Sequence, residues 1–186
     1  MGFHTFPIGR AEALEDPERY RFCSREELLE LLDPDPTDRV MDIGSGTGFF
    51  AVEVAPFVDS LIAIDLQAAM HRRFREKGLP ANIELVTGEI ATLPIADAAL
   101  DLAFSVDTHH EYYSEAAMAE LARVMRPGGR LVTIDWSATG SGEDGPPLEE
   151  RFGPEAIVAH LEAVGFEILI RRDRPETIAI VARRED

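Results

Sequence analysis

The chain has 186 residues and carries 35 acidic against 18 basic side chains, a formal net charge of −17. That length supports one domain with a full core, and 45% hydrophobic with 28% charged residues is an ordinary globular composition. The charge argues against an exposed grip on nucleic-acid phosphates, the single Cys23 excludes an intrachain disulfide or a Cys-rich metal cluster, and no apolar run approaches the ~18 residues of a membrane span.

Residues 1–38 read differently from the rest. They hold ten acids and four bases, and they begin Met1-Gly-Phe-His-Thr-Phe-Pro7. That start lacks the basic stretch and apolar run of a secretory signal, so the expected compartment is the cytoplasm. Ser24-Arg25-Glu26-Glu27 reads as a capping box that opens a helix through Leu32, and Asp33-Pro-Asp-Pro-Thr37 ends it. The segment is either a lid over a site or a helix packed on a sheet edge.

From about residue 39 strand and helix patterns alternate. The short apolar runs Val40–Ile43, Leu61–Ile64, Ile83–Val86, Leu100–Val106 and Arg130–Ile134 suit strands covered on both faces. Leu66, Met70 and Phe74 recur at helical spacing before Gly78. Met118, Leu121, Ala122 and Met125 do the same before Pro127-Gly128-Gly129. Ser137–Leu148 is a long Gly/Pro loop, suited to a flexible wall of a site. Pro154 stands at a first helical position, with Ile157, Val158, Leu161 and Val164 on one face. The strand candidates Phe166–Arg171 and Thr177–Ala182 close the chain as a hairpin. Such alternation predicts a mostly parallel α/β sheet.

The strongest chemical signal is Val40-Met-Asp-Ile-Gly-Ser-Gly-Thr-Gly-Phe-Phe50, a strand that turns into a helix near Thr47 through Gly44, Gly46 and Gly48. Glycines there let backbone N–H groups approach a ligand. A dinucleotide fingerprint needs its third glycine at position 49, where Phe49 stands. Asp42, just before the turn, would repel a pyrophosphate and suits a cationic or amino group. Asp65 ends the next strand, 21 residues after Gly44, where an acid accepts the two hydroxyls of a ribose.

With these motifs the sequence resembles the class I S-adenosylmethionine-dependent methyltransferases, of the type 11-like group. The likeness runs from roughly residue 36 to 183 and includes Val86-Thr-Gly-Glu-Ile-Ala-Thr-Leu-Pro94 and Arg123-Val-Met-Arg-Pro-Gly-Gly-Arg-Leu-Val132. It implies a Rossmann-like three-layer αβα sandwich around a seven-stranded, mostly parallel sheet, with one antiparallel strand from the C-terminal hairpin. One domain would span 1–186, with an extension or lid over 1–38, a cofactor-binding core over 39–136, and a C-terminal loop, helix and hairpin over 137–186. The resemblance implies that Gly44, Ser45 and Gly46 hold the methionine end of S-adenosyl-L-methionine, with Asp42 beneath them. It further implies that Asp65 binds the ribose, Leu66 flanks the adenine, and Glu89 and Ile90 take the adenine edge. The family usually has Asp where Glu89 stands. Ser105 and Val106 would pass beneath the sulfonium.

Asp107-Thr-His109-His110-Glu111-Tyr112-Tyr113 follows the fourth strand candidate. His109 or His110 is a candidate general base; otherwise one packs on the cofactor and the other faces solvent. Metal binding by Asp107, His109, His110 and Glu111 is disfavoured, because adjacent histidines seldom converge on one ion and distant ligands are missing. Tyr112, Tyr113 and Trp136 either line an acceptor pocket or belong to the core. The basic run His71–Lys77 suits a helix C-terminus better than RNA. The expected function is methyl transfer to a small molecule, by a monomer or homodimer with no direct nucleic-acid or membrane contact. The alternatives are a partner-dependent protein or RNA methyltransferase and a non-catalytic cofactor-binding module. The surplus of acid with a single lysine, Lys77, reads either as coding bias or as adaptation to a salt-rich, halophilic cytoplasm.

Overall fold

The computed structural model describes residues 5–186; the first four residues, part of the start read above, lie outside them. Five strands follow one another through the first two thirds of the fold, separated by helices except between the third and fourth, where a single 3-10 turn, Ile90–Thr92, intervenes. They are β1 (Arg39–Ile43), β2 (Ser60–Asp65), β3 (Ile83–Thr87), β4 (Leu100–Val106) and β5 (Met125–Trp136), and β6 (Phe166–Asp173) and β7 (Thr177–Arg184) close the chain. The helices are α1 (Arg25–Leu32), α2 (Ala51–Val54), α3 (Ala68–Glu76), α4 (His109–Tyr112), α5 (Glu115–Val124) and α6 (Pro154–Glu162). The strands form one sheet in the order β3-β2-β1-β4-β5-β7-β6. β1 to β5 pair in parallel, and β7 runs antiparallel to both β5 and β6. The expected sandwich and its single antiparallel strand are therefore both present.

Period-two alternation sorts side chains onto the two faces. Val40, Leu61, Leu102 and Phe104 enter one core with Leu28, Val54 and Phe74. Met41, Ile43, Ile64 and Ala103 enter the other with Leu121, Ile157 and Leu161. Because the order of strands reverses beside β1, the carboxyl ends of β1 and β4 flank the crevice where open α/β sheets bind ligands.

Four local expectations need correction. The helix after the glycine turn starts at Ala51 rather than near Thr47, because Gly46 and Gly48 hold positive φ and no right-handed helix passes through them. Leu66 lies before α3: Asp65 Oδ1 accepts from the Gln67 N–H at 2.7 Å, and the turn leaves Leu66 44% exposed. Met125 begins β5 instead of ending α5, since it pairs with Leu100. The register then resumes at Leu102–Arg130, with Pro127-Gly128-Gly129 bulging between. Finally, Ser24 Oγ accepts from the Glu27 N–H (3.2 Å), but the Glu27 carboxylate pairs with Arg174 at 2.6 Å, so Glu27 serves a distant strand connection. Ser24→Ala should still cost about 1 kcal/mol, read as a lower urea midpoint.

Candidate active site

The turn after β1 is shaped by its own backbone. Ser45 N–H donates to Ile64 O (2.8 Å) and Gly48 N–H to Ser45 O (2.8 Å). Gly44 has φ +73, and a Cβ there would lie 2.6 Å from Thr108 Cγ2. Thr108 in turn donates to Ile43 O at 2.8 Å, which ties the carboxyl end of β1 to that of β4. His71 supports the turn from α3, with Nε2 3.4 Å from Ser45 Oγ and Nδ1 2.9 Å from Thr87 Oγ1. Burial pushes this histidine down to about 4, so it is a neutral spacer rather than part of a basic patch.

Two carboxylates stand around that turn. Asp65 Oδ2 accepts from the Gly46 N–H at 2.8 Å and Oδ1 from Gln67. Burial raises its carboxyl while those two N–H groups pull it down. Asp42 is buried, with Oδ2 lacking any hydrogen-bond partner among the described residues. Burial, then the nearby Asp65 charge, push Asp42 up to about 8, against the pull of Arg19. An unpartnered buried acid is costly unless a ligand completes it.

The carboxyl end of β4 brings a second group. His110 Nδ1 lies 2.9 Å from Asp135 Oδ1, and the His110 backbone N–H donates to Oδ2 at 2.8 Å. Both side chains are buried, at 7% and 1% exposure. Desolvation works against a charged imidazole, yet the Asp135 carboxylate outweighs it and raises His110. Assigning the proton to Nδ1 leaves the Nε2 lone pair available to a ligand. Glu111 next to it is pushed up to about 7, chiefly by burial, with His110 pulling the other way.

A single cavity of about 700 Å³ joins these groups. Of the expected site residues, Asp42, Gly44, Ser45, Gly46, Asp65, Leu66, Glu89, Ile90, Val106 and His110 line it. Ser105 and His109 do not. Ser105 is buried and donates to Thr133 Oγ1 at 3.4 Å. His109 turns away from His110: its Nδ1 lies 3.1 Å from the Tyr112 hydroxyl and its Nε2 3.1 Å from His160 Nδ1. It is fully buried, stacked with Tyr113 and His160 and edge-on to Phe152, and burial pushes it down to about 4. His109 thus neither faces solvent nor borders the cavity, and the two adjacent histidines diverge.

The remaining walls come from outside the expected motifs. Residues of the turns Ile8–Glu15 and Pro17–Arg21 line one side, with Phe22 tilted against Trp136 at 4.6 Å between ring centres. Asp144 to Pro147 line the other side. That loop is tied to Arg151, which donates to Pro146 O (2.8 Å) and to Asp144 O and lies over the Trp136 ring. Sequence reasoning did not single out Arg19, Asp135 as a histidine partner, or Glu111 as a titrating group. Asp135 had a usable signal, an acid ending a strand beside the one that leads to His110; Arg19 had none, because its partner Asp107 lies 88 residues away.

The family described as a methyltransferase domain matches residues 41–133, half of the chain, and the chain belongs to that family. Among curated proteins it is similar to a demethylmenaquinone methyltransferase of Corynebacterium kroppenstedtii, 32% identical over 114 residues, which are 61% of this chain and 48% of that one. It is also similar to 24-methylenesterol C-methyltransferase 2 of Oryza sativa, 27% identical over 168 residues, 80% of this chain and 46% of that one. The chain spans about half the length of these curated relatives. Among solved structures, a SAM-dependent methyltransferase from Aquifex aeolicus superposes with a TM-score of 0.87 at 27% identity, covering 96% of this chain and 99% of that one. Family and fold imply S-adenosylmethionine as cofactor. The residues present fit it: a glycine turn that borders the cavity, and an unpartnered buried acid, Asp42, that suits an ammonium.

Proposed function

We propose that the protein transfers a methyl group from S-adenosylmethionine to a small, largely apolar acceptor. The observation that carries this reading is one cavity that joins a glycine turn, the unpartnered acid Asp42 and a buried His110–Asp135 pair. Gly44, Ser45 and Gly46 cradle the amino-acid end, Asp65 takes the ribose hydroxyls with the lone pairs its backbone contacts leave free, and Leu66, Glu89 and Ile90 border the adenine. When bound, the cofactor supplies an electrophilic methyl group on a sulfonium. His110 accepts the acceptor's proton at Nε2, and Asp135 orients the ring and stabilises the charge it gains. A cavity of about 700 Å³ suits small ligands. Phe22, Trp136 and Pro146 give it apolar walls, and the relatives' names also refer to apolar molecules. Residues 5–22 would serve as the lid. A labelled-methyl screen against a metabolite extract tests the acceptor, and a labelled macromolecule instead of a small molecule would overturn that part.

Calorimetry should detect binding of S-adenosylmethionine or S-adenosylhomocysteine and none of NADH; the reverse would sink the cofactor assignment. Asp65→Ala should weaken binding by about 1–3 kcal/mol, since it removes both a ribose acceptor and the anchor of Gly46. Asp42 gives a pH signature. Its carboxyl is raised to about 8, and only the ionised form pairs with an ammonium. Binding must then expel a proton at neutral pH, so affinity should fall as pH drops, approaching about tenfold per unit between about pH 7 and 6. An Asp42→Asn protein should bind more weakly and lose that slope.

We also read the charge surplus as adaptation to salt. Asp97, Glu143, Glu149 and Glu155 are exposed, unlike Asp42 and Asp65 beside the glycine turn, and salt screens repulsion among such groups. The melting temperature should rise from dilute buffer to molar KCl; equal stability in both would remove this reading.

A further inference from the structure

Arg19 is held against the glycine turn from the N-terminal side. Its guanidinium lies over the rings of Phe49 (5.0 Å) and Phe50 (4.8 Å). Nη1 donates to Leu14 O at 3.0 Å and Nη2 to Asp107 Oδ2 at 3.2 Å, and the side chain is 18% exposed. Asp107 sits at φ +62, in the left-handed region that aspartate enters more readily than most side chains. Its other oxygen, Oδ1, is buried with no hydrogen-bond partner among the described residues, as is Asp42 Oδ2. Arg19, Asp42 and Asp107 all line the same cavity as Gly44 and Ser45.

The amino-acid end of the cofactor carries an ammonium and a carboxylate on one carbon. The two unpartnered acid oxygens suit the ammonium, but the same acids repel the carboxylate, which needs a cation beside it. A guanidinium fixed in plane by two aromatic rings offers a fork matched to a carboxylate. Resting on the cofactor reading above, we infer that Arg19 binds the α-carboxylate of the cofactor while Asp107, with Asp42, takes the α-ammonium. The N-terminal segment thereby recognises the amino-acid end of the ligand. It is also tied down on either side of Arg19, by Gln67 Nε2 donating to Phe6 O (2.9 Å), Lys77 with Glu15 (2.7 Å) and Tyr20 with Glu53 (2.7 Å). Loss of the guanidinium alone should therefore leave the segment in place.

The test compares S-adenosylhomocysteine with 5′-methylthioadenosine, which keeps the adenosine and thioether but lacks the amino-acid end. In calorimetry, Arg19→Gln should weaken the first by about 10- to 100-fold and change the second by less than about threefold. Arg19→Lys should recover part of the loss. Equal weakening of both ligands would make Arg19 a structural clasp and overturn the inference, and no change in either would do the same. The methylthioadenosine titration also reports whether each variant is folded. If the unaltered protein bound neither ligand, the cofactor reading itself would fall, a result distinct from failure of the Arg19 assignment alone.

Discussion

Asp135→Asn should lower methyl-transfer turnover by about 100-fold or more while leaving S-adenosylhomocysteine affinity within about twofold. Asp135 is buried at the end of β5, touches His110 through both its carboxylate oxygens, and is absent from the cavity lining. Its effect must pass through the imidazole. An asparagine can satisfy the His110 backbone N–H, so the main chain stays in place, but it neither fixes the proton on Nδ1 nor offsets a charged ring. The pH profile distinguishes this from a folding defect. Because Asp135 raises His110, activity of the unaltered protein should rise with pH through an inflection above the ordinary histidine value. In Asp135→Asn the residual activity should inflect at lower pH, since the carboxylate that held the proton is gone. His110→Ala should lose turnover to a similar extent and show no such limb. Turnover unchanged in both variants would remove the general base.

The sheet was readable because each strand carries its own local signature, continuous apolar residues for the buried parallel ones and a Pro-containing connection for the hairpin. The glycine turn was readable for the same reason: the chemistry of Asp42 to Gly48 is written in seven consecutive residues. What did not show is whatever depends on two segments meeting. His109 and His110 look equivalent in sequence, yet the short helix α4 points one ring at Asp135 and the other into the aromatic cluster of Tyr113, Phe152 and His160. In sequence Asp107 has no visible partner, because the arginine that pairs with it is donated by the N-terminal segment. Phe49, which argues against a dinucleotide fingerprint, packs against Tyr20 at 4.9 Å and under Arg19. The residue that departs from one cofactor motif thus helps dock the segment that lines one side of the cavity.

Gly48→Ala should destabilise the fold by about 3 kcal/mol or more, while Gly46→Ala should cost less stability and more cofactor affinity. Both glycines sit at positive φ, +80 and +55, where an L side chain adds roughly 1–2 kcal/mol of strain. They differ in what a Cβ would meet. At Gly46 the nearest atom is the tip of Leu14, 3.2 Å away, a side chain that can yield, and the Gly46 N–H is bound to Asp65. At Gly48 a Cβ would run into the ring of Phe74, a fully buried residue of α3 held in one of the two cores. The ring cannot retreat without opening that core. The third glycine of the turn therefore keeps a helix close to the sheet, whereas the first two border the cavity. A double-mutant cycle in urea separates the two contributions. Phe74→Ala alone should cost about 3–5 kcal/mol by leaving a cavity. Combined with Gly48→Ala, the total should fall short of the sum by at least about 1 kcal/mol, because the obstacle to the new methyl group is gone. If the effects add, or if Gly48→Ala spares stability and weakens S-adenosylhomocysteine binding instead, Gly48 belongs to the ligand cradle and not to the packing of α3.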